Sequence, residues 1–270
     1  MAPSPLYPLD KLNHAFFLRY GWTGWPSQTS FGERPPKSFF DALRKSWKDD
    51  DIHLRDVRWS PELLRFRASV SPRVSPVHFT ARMKGRLEHA LRQGGYPCSF
   101  SRKTAMRTIG KNRRFTVENY VGNQVEREGF VDSNFRDRLE EFTISNDNVD
   151  LSTPVESAHG RYWYNLHIVL NYRGDLRITA EQRLTTLREW CFRIAHCRGY
   201  RLSALSLMPD HVHLAVGGAI DDSPGEMAAV FMNNLAYAMG QKAIWQPSFY
   251  VGSFSEYDIG ACSQTSSPPA

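Results

Sequence analysis

Apolar and polar positions change period several times along the chain, and the changes come in the same order twice. "HAFFLRYGW" is an extended apolar run that predicts a strand, and "SFFDALRKSWKDD" shows the three-and-four spacing of a helix. "IHLRDVRW" and "LLRFRASV" return to a two-residue period and predict paired strands. "SPVHFTARMKGRLEHALRQGG" predicts a helix with Ser75 as N-cap, Pro76 in its first turn and Gly94-Gly95 as its stop. A strand around 104–109 and a helix "TVENYVGNQVERE" close the series. The second round runs from the strand "YNLHIVLNY" to the helix "TAEQRLTTLREWCFRIAHCRG", which opens on a capping-box-like Thr179. Two strands around Pro209, the helix "SPGEMAAVFMNNLAYAMGQKA" and the strand "SFYVGSF" complete it.

The two rounds align without a gap at an offset of 148 residues. Pro61 then matches Pro209, Ser75-Pro76 matches Ser223-Pro224, and Leu87, Ala90 and Gln93 match Leu235, Ala238 and Gln241. An internal duplication follows, and each copy reads β-α-β-β-α-β. The expected fold class is α+β, with two tandem ferredoxin-like domains built on antiparallel sheets. The first copy is expected over residues 10–130 and the second over 161–262. Residues 131–160, rich in Asp, Asn and Ser, read as a linker, and the Ser/Pro-rich 263–270 as a disordered tail.

Composition adds a partner class. Of 270 residues, 34 are Lys or Arg and 28 Asp or Glu, giving a net charge of +6, which favours a polyanion as partner. Cys98, Cys191, Cys197 and Cys262 form no Cys-x-x-Cys pair. Cys191 and Cys197 flank His196 in a predicted helix, where reduced buried thiols are expected rather than a zinc site. The N-terminus lacks the basic and apolar regions of a signal peptide, and no apolar run approaches the ~18 residues of a membrane span. A soluble protein of the cytoplasm is expected.

The candidate chemistry sits in "LMPDHVHLAV". On a strand, His211 and His213 point to one face and Val212 and Leu214 to the other. Two imidazoles side by side suit a divalent cation but provide no nucleophile. This motif, with its Pro-Asp lead-in on a small β-α-β-β-α-β unit, resembles the His-hydrophobic-His signature of single-tyrosine transposases and their REP-associated relatives. The resemblance spans most of 161–260. It implies Mg²⁺ or Mn²⁺ held by the two histidines and a glutamine, and a tyrosine four residues before that glutamine that attacks DNA. It further implies homodimers acting on single-stranded DNA hairpins.

This sequence departs from that pattern. The second copy has no Tyr-x-x-x-Gln, since Tyr250 is followed by Phe254 and Tyr257 by Ala261. The first copy carries Leu63 and Arg65 at the histidine positions, yet its "VENYVGNQ" holds Tyr120 and Gln124. An i, i+4 spacing places both side chains on one helical face. The expectation is therefore a fused pseudo-dimer with one composite site: Tyr120 as nucleophile, and His211, His213 and Gln124 as metal ligands. Imidazoles suit Mn²⁺ or Zn²⁺ better than Mg²⁺, so the metal stays open. Arg102, Lys103, Arg107, Lys111, Arg113 and Arg114 precede the tyrosine helix and, with Arg65, are candidate phosphate contacts. Further homodimerisation is left open. The alternative reading is a catalytically inactive hairpin DNA- or RNA-binding protein, and a third is a metal hydrolase of a small substrate. His167 reads as an ordinary core or surface histidine.

Overall fold

A computed structural model describes residues 4–27, 30–96, 99–240 and 243–259. The first round of elements is β1 (Asn13–Phe17), β2 (Arg19–Pro26), α1 (Lys37–Lys48), β3 (Ile52–Trp59), β4 (Leu64–Val70), α2 (Pro76–Gln93) and β5 (Phe100–Ile109). Next come α3 (Arg114–Gly122), α4 (Gln124–Glu128), α5 (Ser133–Glu140), β6 (Thr143–Ser145), β7 (Val155–Ser157) and β8 (Gly160–Trp163). The second round is β9 (Asn165–Tyr172), α6 (Glu181–Arg198), β10 (Arg201–Leu207), β11 (His211–Gly217), α7 (Pro224–Ala238) and β12 (Trp245–Phe254). The class is α+β, with strands in the orders β3-β4-β2-β5-β8-β7 and β1-β12-β9-β11-β10-β6.

Each sheet buries one face under its own two helices. Alternate residues of β2 and β4 (Tyr20, Trp22, Leu64, Phe66 and Ala68) are fully buried, as are Leu166, Ile168 and Leu170 of β9 and Val212, Leu214 and Val216 of β11. α1 and α2 lie on the first sheet, and α6 and α7 on the second. Local signals start two of these helices as expected. Ser75 Oγ accepts from the His78 amide (3.3 Å), and Ser223 forms a reciprocal capping box with Glu226. Thr179 does not cap α6. That helix begins one residue later than the motif requires, after Ala180, whose methyl group cannot accept a hydrogen bond.

Four expectations are corrected. "HAFFLRYGW" is not one strand: β1 pairs parallel with β12 in the second sheet, while β2, beyond Leu18, enters the first. β8 and β9 do the converse, β8 pairing parallel with β5 before the chain crosses into the second sheet. Both sheets are thus mixed rather than antiparallel, because each accepts a parallel edge strand from the segment leading into the other. Residues 131–160 are not a bare connector, since α5 lies there and β6 and β7 extend one sheet each. The "TVENYVGNQVERE" helix breaks at Asn123 into α3 and α4. Cys191 is buried, which raises its thiol pKa, whereas Cys197 is exposed. Cys98, Cys262 and 263–270 lie outside the described residues.

Where the two sheets meet, a continuous apolar core is joined by buried polar contacts. The Thr108 hydroxyl donates to the Phe254 carbonyl (2.7 Å) and accepts from the Asn165 amide (3.2 Å). Ser253 Oγ donates to the Ile109 carbonyl (2.7 Å) and accepts from the Arg19 amide (3.0 Å). Gly110 bridges to Asp258, and a Cβ there would come within 2.6 Å of the Ser253 and Asn112 carbonyls, so only glycine fits. Replacing Thr108 with the isosteric valine leaves buried backbone groups unpaired. Thr108→Val should lose about 1–3 kcal/mol of stability in urea unfolding. An unchanged midpoint would show that this seam does not hold the sheets together.

Candidate active site

The outer face of the second sheet, away from α6 and α7, can be read from its pairing register, because directly paired residues share a face. His213 pairs with Val169 and Ser206, Ala215 with His167 and Ala204, and Tyr250 with Val169. His167, His211, His213 and Tyr250 therefore lie on one face. Over its β6–β10–β11 side lies α3, a helix contributed by the first round of elements. Val117 and Val121 pack there on Ala204, Ala215, Leu151 and Phe254. A nine-residue helix has little stability alone, so this apolar seat decides where α3 sits. Burying each valine side chain contributes roughly 1.5–3 kcal/mol.

Seating α3 places Tyr120 against the histidines. Its ring centroid lies 5.5 Å from that of His213 and 5.8 Å from that of His167, both edge-on, and the side chain stays partly exposed. The Arg127 guanidinium sits 4.9 Å from the Tyr120 ring centroid. His211 and His213 have ring centroids 4.7 Å apart. Gln124 is not beside Tyr120 on a continuous helix face as the spacing predicts, because the helix breaks between them. It is buried instead, and its Nε2 donates to the Tyr120 carbonyl at 2.6 Å.

Each motif histidine has one ring nitrogen engaged. His213 Nδ1 is 2.9 Å from His167 Nε2, and His211 Nδ1 is 2.6 Å from Asp210 Oδ1. Such partners fix ring orientation and leave each Nε2 available to a ligand. Burial lowers the His167 pKa to about 4; burial, followed by the neighbouring His167 and His211, lowers that of His213 to about 2. Both rings are neutral at pH 7, the form that can ligate a metal. Burial raises the Tyr250 phenol, with a smaller push from Tyr120. Among the described residues, no group of three or more His, Cys, Asp or Glu side chains is arranged to hold a metal ion. A cation here would need a ligand of another type beside the two motif histidines.

The basic run before α3 is divided rather than gathered. Arg114 pairs with Glu256, Glu118 (3.2 Å) and Asp150 (3.8 Å), and Arg113 with Asp258 (3.0 Å). The Lys111 ammonium lies over the Phe17 ring at 4.9 Å. Arg102 and Lys103 are exposed on β5, and Arg107 joins Arg65 on the outer face of the first sheet. His167 is the member that sequence reasoning missed. The alternation of "NLHIVLNY" marked its side of the strand, but only the β9–β11 register brings it to His213.

Fold and site together define an α+β protein whose candidate active site combines a tyrosine of one repeat with histidines of the other. No protein-family model matches the chain, and neither does any curated protein. Among solved structures, 34% of the chain is similar to a REP-associated tyrosine transposase bound to a REP hairpin, at 21% identity and a TM-score of 0.31. The match covers 56% of that protein, so the chain spans little more than half of its length. A "putative transposase" from Deinococcus radiodurans R1 overlaps 37% of the chain and 86% of its own, at 22% identity and a TM-score of 0.30. Overlaps of this score decide neither fold nor chemistry. No described helix is long and apolar enough to cross a membrane.

The seat of α3 can be tested apart from any activity. Ala215 is fully buried beneath the helix, and a leucine there overpacks the contact at a cost of about 1–3 kcal/mol. Ala215→Leu should speed amide hydrogen exchange in α3 while α6 and α7 keep their protection. Unchanged exchange in α3 would show that the helix is not held by this contact.

Proposed function

We propose that the protein nicks and rejoins single-stranded DNA through a covalent phosphotyrosine, with one composite active site per chain. The observation that carries this reading is the 5.5 Å approach of the Tyr120 ring to the His213 ring, between side chains some ninety residues apart in sequence and in different repeats. Four consecutive strands of each sheet run β3-β4-β2-β5 and β10-β11-β9-β12, the same order in both repeats. This supports two ferredoxin-like units fused as a pseudo-dimer, with the nucleophile delivered in trans within one chain.

Tyr120 Oη attacks a backbone phosphorus. A phosphorus–oxygen bond to the phenol forms, the bond to the 3′ oxygen breaks, and the strand leaves with a free 3′-hydroxyl. The phenolic proton passes to solvent. Because one phosphodiester replaces another, a 3′-hydroxyl can reverse the step without an external energy source. The partly exposed position of Tyr120 gives DNA access, while α3 and the β9–β11 face fix the approach, lowering its entropic cost.

His211, His213 and, through its side-chain oxygen, Gln124 are the residues that would hold a divalent cation such as Mn²⁺ or Mg²⁺. His211 and His213 are each oriented through one nitrogen, and the Gln124 amide nitrogen is occupied by a backbone carbonyl, which leaves its oxygen to ligate. When bound, such a cation polarises the scissile phosphate and offsets the charge that develops on it. His167 acts on His213 by holding its ring and tautomer.

The test is a protein–DNA adduct that survives denaturation, formed with single-stranded hairpin DNA and Mn²⁺. Wild-type protein should form it, Tyr120→Phe should reduce it at least a hundredfold while retaining DNA binding, and chelation should abolish it reversibly. Tyr250→Phe should leave the adduct intact. An adduct that persists in Tyr120→Phe but disappears in Tyr250→Phe would move the nucleophile and overturn the composite site. DNA binding without any adduct would favour a catalytically inactive hairpin binder.

A further inference from the structure

The outer face of the first sheet is the counterpart of the histidine face, and no described helix lies across it. At the 148-residue offset, Ser206, His213 and Ala215 become Arg58, Arg65 and Arg67. The equivalence is structural as well, since Arg58 pairs with Arg65 on β3 and β4 as Ser206 pairs with His213 on β10 and β11. These arginines border an open cavity of about 570 Å³, whose lining also includes Arg107 and Arg161. Its floor is small, because Gly21, Thr23 and Ala105 face outwards there in register with Arg67, Arg65 and Thr23 respectively.

Charge and aromatic surface define what this cavity can take. Among the described residues, Asp56 is the only carboxylate lining it, and it pairs with Arg67 at 2.9 Å and with Arg58 at 3.7 Å. Arg161 is paired with Glu156 at 3.0 Å, whereas Arg58, Arg65 and Arg67 share the single lining carboxylate Asp56, a positive surplus that suits anionic groups. Trp25 and Tyr257 line the same cavity, and both rings are exposed. The Arg107 guanidinium is 3.9 Å from the Trp163 ring centroid and 5.2 Å from that of Tyr257, so it is held as a flat platform. Phosphates beside flat stacking surfaces are the needs of an unpaired nucleotide strand. A duplex keeps its base faces stacked inside and would leave Trp25 and Tyr257 without partners. An acidic peptide would meet the charge but not the rings.

We propose that this vacated second site is a holding cleft for single-stranded DNA. Its phosphates lie against Arg65, Arg67 and Arg58, and its unpaired bases stack on Tyr257 and Trp25. The proposal rests on the DNA-processing reading above and gives the inactive face a function within it. The cleft binds a stretch of strand outside the nick and raises the local concentration of DNA at Tyr120.

Arg65 is exposed on its strand, so Arg65→Glu should fold normally, as circular dichroism can verify. With a fluorescein-labelled unpaired oligonucleotide, Arg65→Glu should weaken binding at least tenfold. It should also lower the slope of log affinity against log salt by about 0.7 per lost phosphate. Tyr257→Ser should weaken binding with little change in that slope, because it removes stacking rather than charge. Unaltered affinity and salt slope in Arg65→Glu would overturn the cleft, as would an equal loss of binding to fully duplex DNA. Weakened oligonucleotide binding in Arg65→Glu, with no adduct even from wild-type protein, would support the cleft and refute only the nicking chemistry.

Discussion

The arrangement depends on a small set of buried hydrogen bonds where the two sheets cross. Thr108, Ser253 and Asn165 belong to strands of different sheets, and their side chains or amides satisfy backbone groups that neither sheet satisfies alone. Apolar contacts would tolerate sliding at such a junction. Hydrogen bonds to buried carbonyls do not, because a shift that breaks one leaves a desolvated polar group at a cost of about 1–3 kcal/mol. The close approach at Gly110 adds a steric limit in the same place. Held in this way, the end of β5 can lead only towards the outer face of the other sheet, and α3 follows it there.

The two outer faces then take opposite characters for reasons visible in a few side chains. Ala204 and Ala215 give α3 a flat apolar bed, and the covered surface becomes dry enough to keep His167 and His213 neutral. The corresponding positions of the first sheet are Asp56 and Arg67, paired with each other at 2.9 Å. A helix packed across that pair would have to desolvate both charges, which their mutual attraction rarely repays in full. The first face therefore stays open and charged, while the second is partly covered by α3 and carries the histidines. The two sheets thus differ at matching positions by small residues on one and charged residues on the other.

The elements themselves were legible because their causes are local. Ser75-Pro76 and Ser223-Pro224 announce helix starts through caps that need only the next turn, and alternation in "HVHLAV" separates the histidine face from the apolar face, although both are largely buried in the fold. The reading failed where a boundary depended on a distant partner. Leu18 divides β1 from β2 because β12 and β4 lie in different sheets, and no residue within "HAFFLRYGW" encodes that. Asn123 interrupts a helix whose spacing is otherwise regular, and this turns Gln124 inwards to the Tyr120 carbonyl.

By itself the sequence carried evidence of a pattern recurring at a 148-residue offset, the α+β alternation, the shared face of His211 and His213, and the separation of Tyr-x-x-x-Gln and His-x-His between its two halves. Each follows from periodicity or spacing, which act over a few residues. Tertiary structure alone decided that Tyr120 meets His213, that His167 joins them, that Arg113 and Arg114 are engaged with carboxylates, and that Arg65 opens onto an arginine-lined cleft. Those outcomes depend on strand register and on which helix lies over which sheet. A one-residue change in register turns every side chain to the other face, so contact between distant residues exists only once the whole pairing is fixed.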